Sequence, residues 1–475
     1  MDAAVVAIAG DGDADAGHRR PLLASADDDD EIRPYPASSP SPQHPAGAER
    51  KPRRVASLDV FRGLTVAMMI LVDDAGGAWP GMNHSPWLGV TVADFVMPAF
   101  LFIIGVSAAL VFKKTPNKTV ATKKAAIRAI KLFILGVILQ GYTYPCRIAI
   151  GYFLAAISEI WLVNNISVDS AISFVKKYFM EWLVNKIVAV MISALYVGLL
   201  LGLYVSNWEF KVQTSNSILT IPTPGNEIGM KMIQCGVRGS LGPPCNAVGF
   251  VDRVLLGENH LYKNPVYKRT KECSVNSPDY GPLPPNAPDW CLAPFDPEGL
   301  LSTLMAAVTC FVGLHFGHVL VHCKDHSPRM LLWLLASTVL TVSGFLLQLL
   351  GMPFSKPLYT VSYMLLTGGV SGFLLLLLYY IVDVINIKKP FILFQWMGMN
   401  ALIVYVLAAC EIFPTLVQGF YWRSPENNLV DLTESLLQTI FHSKRWGTLA
   451  FVVLEIIFWC LAACFLHMKG IYLKL

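Results

Sequence analysis

The stretch from Ser57 to Gly105 reads SLDVFRGLTVAMMILVDDAGGAWPGMNHSPWLGVTVADFVMPAFLFIIG. Two apolar segments are joined by a short loop that carries one histidine, His84, between Trp79 and Trp87. Asp59, Arg62, Asp73, Asp74 and Asp94 lie inside those segments or at their rims. Ionisable groups at membrane depth are costly and usually mark a site or a pathway. Function therefore turns on what His84 does.

The composition around this stretch is that of a membrane protein. Of 475 residues, 54% are hydrophobic and 15% charged, where a soluble domain would carry about a quarter charged. Mean hydropathy is +0.51. A helix needs about 20 apolar residues to cross the hydrocarbon. The expected fold is all-α and polytopic, a bundle of about ten transmembrane helices with one cysteine-containing lumenal loop domain. The predicted spans are 60–75, 90–112, 128–145, 148–164, 186–206, 300–321, 331–350, 358–383, 391–411 and 446–467. The segments are continuously apolar and do not alternate, which excludes a β-barrel. The net charge of +4 comes from Lys and Arg at the span edges. There they set orientation and form no nucleic-acid surface.

Residues 1–54 are rich in Ala, Asp, Pro and Ser, with the acidic run Asp27 to Asp30. They lack an apolar core and read as a disordered cytosolic tail, with Leu22-Leu23 either a sorting dileucine or two leucines of that tail. Residues 55–475 are the membrane domain. Basic residues cluster on one side, from Lys51, Arg53 and Arg54 through Lys113–Arg128 to Lys388, Lys389, Lys469 and Lys474, while Arg147 and Lys356 stand on the other. The distribution predicts that both termini are cytosolic. The loops at His84, 207–298 and 412–445 then face the lumen or the exterior. Residues 165–186 look amphipathic and predict a helix lying at the cytosolic interface, or else an extension of its neighbours.

The 207–298 loop holds Cys235, Cys245, Cys273 and Cys291. Four cysteines on a non-cytosolic face favour two disulfides. Three pairings exist. Cys235–Cys245 with Cys273–Cys291 is preferred, because short loops close most easily. Zinc is the rival reading, but no CxxC pair is present, so no metal is expected.

Imidazole transfers protons near neutral pH and also acts as a nucleophile. Asp73, Asp74 and Asp94 lie close enough in sequence to orient the His84 ring or raise its basicity. The plainer account makes His84 an interfacial loop residue between anchoring tryptophans. His315 and His318, three apart on one helix face, predict a polar helix–helix contact. His260 lies in VDRVLLGENHLY beside Asp252, Arg253 and Glu258, either in an ion-paired loop or on a substrate-facing wall. Asp59 and Arg62 open the first helix, either as a structural pair or as contacts to an anionic group such as a phosphate of coenzyme A. No P-loop, GxGxxG, HExxH or GxSxG motif occurs, which argues against nucleotide hydrolysis, dinucleotide chemistry and zinc proteolysis.

LDVFRG…WLGVTVADFVMPAFLFIIGVS resembles the heparan-α-glucosaminide N-acetyltransferase family of lysosomal membrane enzymes and their bacterial relatives. NAVGFVDRVLLGENHLY (246–262), DPEGLLST (296–303), YIVDV (380–384) and WMGMNALIVYVLA (396–408) resemble it in the same order. The resemblance covers about residues 55–475. It implies an acyltransferase that moves an acetyl group from cytosolic acetyl-CoA to a glucosamine-type amine in the lumen. It places His84 at the catalytic histidine, with Asp73 and Asp94 as orienting carboxylates. Asp59 and Arg62 are then candidates for the coenzyme, and Trp87, Asp252, Arg253 and His260 for the acceptor. Asp73 falls where the lysosomal enzyme resembles this segment but has an asparagine. The large lumenal N-terminal part and the extra first helix of that enzyme are expected to be missing here.

Two mechanisms stay open, an acetyl-histidine intermediate and general-base catalysis with direct transfer. The alternative function is a transporter or sugar-binding membrane protein of the same fold without acetyl transfer. The expected location is a lysosomal or vacuolar membrane, with the plasma membrane as the other option. Polytopic enzymes of this kind often form homodimers, although no residue pattern here requires one.

Overall fold

The computed structural model describes residues 55–79, 81–112, 117–140, 147–163, 171–213, 228–257, 261–296, 299–409 and 412–473. The N-terminal tail expected over 1–54, Leu22-Leu23 and His260 lie outside the described residues. Helices dominate, because runs of apolar residues can satisfy their backbone only internally once water is excluded. The membrane domain contains α1 (Ala56–Ala75), α2 (Ala93–Phe112), α3 (Lys118–Gln140), α4 (Arg147–Ser158) and α5 (Ala171–Gly202). A short α6 (Ala247–Leu256) precedes α7 (Leu300–His322), α8 (His326–Leu349) and α9 (Val361–Tyr379). Then follow α10 (Ile392–Met399), α11 (Ala401–Val404), α12 (Ile412–Gln418), α13 (Leu429–Ile440) and α14 (Lys444–Met468).

Among the described residues, six helical segments are long and apolar enough to cross a membrane, or up to seven if one bent pair counts as a span. Seven of the ten expected spans coincide with these segments, the bent pair included, while those at 60–75, 128–145 and 148–164 fall outside them by charge or length. α1 has 20 residues but carries Asp59, Arg62, Asp73 and Asp74. α3 carries Lys118, Lys123, Lys124, Arg128 and Lys131. α4 runs for only 12 residues before it relaxes into a π-helix over Glu159–Val163. The bent pair is Lys389–Met399 with Ala401–Ala408, turned by 72°. The helix expected to lie at the interface over 165–186 is not a separate element. Its residues from Ala171 onward form the first half of the 32-residue α5, and 165–170 lie outside the described residues.

α2 packs along α7, α8 along α9, and α1 along α10. Small residues make these approaches close. A Cβ on Gly105 would lie 2.1 Å from the Cys310 carbonyl oxygen, and one on Gly313 would lie 2.0 Å from that of Phe102. The same reciprocity joins α1 to α10, where a Cβ on Gly63 would lie 1.8 Å from the Phe394 carbonyl oxygen and one on Gly398 would lie 1.7 Å from that of Asp59. In lipid, such van der Waals fit drives helix association, because burial against another helix gains little over burial against acyl chains. α8 turns an apolar face outward, with Leu349 85% exposed, as a lipid-facing helix does.

The 204–296 region is a small unit on the same side as the His84 loop. β1 (Tyr204–Val205) pairs with β4 (Val237–Arg238), and β2 (Trp208–Gln213) pairs antiparallel with β3 (Ile228–Ile233). Cys235 is joined to Cys245, and Cys273 to Cys291. Asn246 caps α6 by accepting the Gly249 amide at 2.7 Å. The unit docks on the His84 loop through Trp87, whose Nε1–H donates to the Leu241 carbonyl at 2.9 Å. Trp87 also meets Phe295 edge-on at 5.2 Å between ring centroids.

Replacing Gly398 with Val should force α1 and α10 apart and strongly reduce the yield of folded, monodisperse protein in detergent. Gly198→Ala, at a position with no neighbouring atom within 4 Å of the added carbon, should leave the melting temperature unchanged or slightly raised, since Ala is the better helix former. Size-exclusion profiles and thermal melts of the two variants check this.

Candidate active site

Asp94 opens α2, and its carboxylate organises the loop that precedes it. Oδ2 accepts the Thr91 amide at 3.0 Å, the Thr91 hydroxyl at 3.0 Å and the Ser85 amide at 3.2 Å. The Asp94 carboxylate thus takes up the Thr91 amide three residues earlier, the carboxylate half of a capping box, which satisfies a donor at a helix start. Oδ1 lies 2.9 Å from His84 Nδ1. The Asp94 side chain is fully buried and that of His84 about one-third exposed. A carboxylate surrounded by donors accepts, so Nδ1 carries the proton and Nε2 holds the free lone pair. His84 is therefore fixed in one tautomer with its reactive nitrogen turned away from Asp94.

A residue distant in sequence completes the group. Lys356, in the α8–α9 connection, places Nζ 2.9 Å from His84 Nδ1 and 3.2 Å from Nε2. The same ammonium is 3.8 Å from Asp94 Oδ1. Two backbone features hold this connection in place. The Gly89 amide donates to the Phe354 carbonyl at 2.9 Å, and Tyr359 adopts a left-handed conformation with φ 54°. A non-glycine residue accepts that conformation only where its surroundings impose it. Here the surroundings are the Tyr359 hydroxyl on Thr309 Oγ1 at 2.9 Å and the Thr360 hydroxyl on the Pro353 carbonyl at 2.9 Å. Tyr363 of α9 donates its hydroxyl to the Asp94 backbone carbonyl.

Burial holds the His84 imidazole below its ordinary pKa of 6.5, and the Lys356 charge lowers it further. The Asp94 hydrogen bond and charge oppose both, and the Arg269 guanidinium adds a smaller lowering effect. The neutral ring is thus favoured near neutral pH. A neutral imidazole with Nδ1 tethered can accept a proton or attack an electrophile through Nε2.

A cavity of about 630 Å³ lies against the same loop. Pro86 and Trp87 form one wall, Pro353 a second, and Trp290, Lys271 and Glu272 of the disulfide-linked unit a third. Its walls are mainly apolar and aromatic, with few polar groups, as is usual for small-molecule sites.

The other sequence-nominated residues make different contacts. Asp73 stands exposed in the last turn of α1, and the carboxylate bonded to the His84 ring is Asp94. Arg62 Nη1 donates to Asp59 at 2.9 Å, and Nη2 donates to Ser107 Oγ at 3.1 Å, which ties α1 to α2. Asp252 caps α7 from α6, accepting the Leu300 amide at 2.9 Å. Burial pushes its carboxyl up to about 6, against the Leu300 amide and the Arg147 and Arg253 charges. Arg253 stacks 3.8 Å from the Trp208 ring centroid. His318 Nε2 pairs with Glu159 Oε1 at 2.8 Å, a polar contact between α7 and the π-helical end of α4. Among the described residues, no group of three His, Cys, Asp or Glu is placed to hold a metal ion. Sequence reasoning missed Lys356, Arg269 and Tyr363 as members of the His84 group. Lys356 left one signal, as an isolated cation in LLGMPFSKPLYT between two apolar spans on the face opposite most basic residues.

The electrostatics predict an imidazole titration. In nitrogen-15 NMR of histidine-labelled protein, His84 should titrate below 6.5 and report Nδ1–H when neutral. In Asp94→Asn its pKa should fall further, because the main interaction favouring the charged ring is gone. A rise in that variant would refute the assignment of Asp94 as the ring's partner.

Comparison with known proteins supplies the relationship. Residues 54–217 match the family described as heparan-alpha-glucosaminide N-acetyltransferase, catalytic. The chain is 27% identical over 463 residues to the heparan-alpha-glucosaminide N-acetyltransferase of Mus musculus, covering 87% of this chain and 62% of that protein. It is 27% identical over 453 residues to that of Homo sapiens, covering 86% of this chain and 60% of that protein. The chain thus spans about three fifths of the length of the curated relatives it matches. The matched catalytic segment contains α1, the His84 loop and α2, so His84 and Asp94 both lie inside it. Residues 54–217 match the model of that catalytic family, and the chain is similar to N-acetyltransferases over most of its length.

Proposed function

We propose that this protein is a multi-pass membrane acetyltransferase that moves an acetyl group from acetyl-CoA to the amine of an amino sugar. The observation that carries the proposal is the His84–Asp94 pair. A neutral imidazole, its tautomer set by a buried carboxylate 2.9 Å away, sits in the segment matched by the catalytic family. Acetyl-CoA is too polar to cross a bilayer unaided. A helical bundle that presents the thioester to a histidine near the opposite rim solves that problem. Asp59 and Arg62, toward the other end of the 20-residue α1, suit the anionic part of the donor, since Arg binds phosphate well.

His84 Nε2 has two routes. In the first, it attacks the thioester carbonyl carbon, the C–S bond breaks, and the coenzyme leaves as its thiolate. The acceptor amine then attacks the acetyl-imidazolium, the C–N bond to the ring breaks, the amine's proton passes to the thiolate, and the neutral ring is released. In the second, Nε2 takes the proton from the amine as that nitrogen attacks the thioester, and then returns it to the departing thiolate. Asp94 stabilises the transient imidazolium in both. The cavity beside Trp87 and Trp290 suits the acceptor, because aromatic walls pack against the apolar face of a sugar ring. The basic-residue distribution supports an acceptor on the lumenal side, with both termini cytosolic. A lysosomal or vacuolar membrane fits that orientation.

One observation favours a second reading. The 72° break between Met399 and Ala401 belongs to the class of interrupted spans found at transporter sites. A transporter would carry amino sugar across a vesicle membrane without consuming thioester.

Purified protein incubated with radiolabelled acetyl-CoA and glucosamine should place label on the amine. His84→Ala should lower the rate about a thousandfold. Label retained on the protein before acceptor is added would select the acetyl-histidine route. Glucosamine flux into proteoliposomes without thioester loss would reject acetyl transfer in favour of transport.

A further inference from the structure

We infer that α13 is an interfacial helix, which lies on the His84 side of the membrane with its apolar flank in lipid. The inference does not rest on the acetyl-transfer reading. The 412–445 segment, expected from the sequence to be a loop, holds α12 and the 12-residue α13, LVDLTESLLQTI. Along α13, Leu429, Leu432, Leu436 and Ile440 recur at helical spacing and form one stripe. Each is at least half exposed, and no residue of α13 is buried.

The helix has three chemically distinct sides. One rests on the start of α14 through polar groups. Gln438 Nε2 donates to Thr448 Oγ1 at 3.3 Å, and the Thr448 hydroxyl donates to Glu434 Oε1 at 2.9 Å. The Gln438 backbone fits against Gly447, where an added Cβ would lie 2.4 Å from the Gln438 Cα. A second side is polar and exposed, with Asp431 and Ser435. The third is the leucine stripe. A helix on a water-soluble protein turns its apolar side inward. Here polar side chains make the protein contact and the apolar stripe faces out. Large aliphatic side chains left in water forgo the stabilisation that burial gives them, so an apolar medium covers this stripe.

The surroundings fit lipid. α14 is long and apolar enough to span a membrane. Its exposed stripe starts at Trp446, at the end against which α13 packs, and continues through Val453, Ile457 and Leu461. The turn between α12 and α13 exposes Phe420, Tyr421 and Trp422, aromatic residues of the kind that collect at the membrane–water boundary. Lys444 and Arg445 are exposed at the corner between α13 and α14, and such cations suit lipid phosphates. At about 1.5 Å per residue α13 is too short to cross the hydrocarbon. A stable protein interface takes about 20 residues a side, far more than this stripe offers a second copy. Trp79 fixes the membrane face. Its Nε1–H donates to the Arg445 carbonyl at 3.3 Å, and its ring meets Trp446 edge-on at 5.3 Å. Trp79 stands just before His84 in the same loop, so a lipid-seated α13 steadies the corner on which that loop leans.

The test uses the full chain in vesicles of tritiated phosphatidylcholine. The photoreactive residue p-benzoylphenylalanine replaces Leu436 on the stripe or Ser435 on the polar side. On irradiation, the probe in place of Leu436 should bind several-fold more labelled lipid than the probe in place of Ser435. Equal labelling from the two positions overturns the inference. So does a crosslink from the Leu436 position to a second copy of the chain.

A second measurement follows backbone hydrogen exchange over 429–440, in the intact chain and in the double variant Leu432→Gln, Leu436→Gln. Gln is nearly as good a helix former as Leu, so on a water-facing stripe the change would leave exchange as it was. With the stripe seated in lipid, the two amides weaken the seat, and exchange over α13 in vesicles should rise several-fold. An unchanged rate overturns the inference, whether or not the protein transfers acetyl groups.

Discussion

The buried carboxylate of Asp94 is the group on which the site depends. It starts α2, closes the loop through the Ser85 and Thr91 amides, and holds the His84 ring. Burying a carboxylate is costly unless its oxygens are used. That cost becomes specificity here, because the loop conformation that supplies these donors is also the one that points Nε2 outward. The plainer account of His84, a membrane-rim residue between two anchoring tryptophans, does not explain a ring bonded to a fully buried acid. Nor does Trp87 act as an anchor in lipid. It is buried against Tyr267 and Phe295 and fastens the disulfide-linked unit to the loop.

Around this carboxylate the bundle supplies rigidity by close approach of backbones. The facing glycines of α2 and α7, and of α1 and α10, bring helices into contact where any side chain would intrude. Both helices that flank the His84 loop are therefore clamped along their length by partners from the second half of the chain. α2 is set by α7, and α1 by α10 and α14. The loop between α1 and α2 thus spans two fixed points. Buried polar pairs such as Arg62 with Asp59 and Ser107, and His318 with Glu159, add directional bonds inside this frame. Such bonds have few competitors where water is scarce.

Two segments on the outer face then complete the centre. The disulfide-linked unit carries Trp290, Lys271 and Arg269 toward the loop, and its crosslinks confine those residues in a region too small to bury a large core of its own. The turn between α8 and α9 carries Lys356. The two sides of the His84 ring are thus supplied by opposite kinds of charge: Asp94 favours the imidazolium, while Lys356 and burial favour the neutral ring. A ring balanced in this way can change protonation state during a reaction without a large change in its surroundings.

Much of this was legible in the residues themselves. Apolar runs of helical length identified a helical membrane protein, and an isolated histidine between two such runs identified the loop. Of the carboxylates near it in sequence, Asp94 is the one bonded to the ring. The pairs Cys235–Cys245 and Cys273–Cys291 are those that loop length favours. Seven of the ten expected spans match helices long and apolar enough to cross, counting the bent pair, while α1 and α3 carry several charges and α4 is short and runs into a π-helical turn. The interfacial helix expected near 165–186 is part of α5, since an amphipathic pattern does not reveal continuity with the apolar run beyond it. Local order follows from local chemistry, so the sequence alone determined the apolar helices and the loop, and it confined the partner of His84 to the nearby carboxylates Asp73, Asp74 and Asp94, from which the fold selects Asp94. The tertiary structure alone decided that Lys356, 272 residues from His84, would meet the ring, because that contact depends on the packing of α9 against α2 and α8 and on the Gly89–Phe354 bond, which no sequence interval encodes.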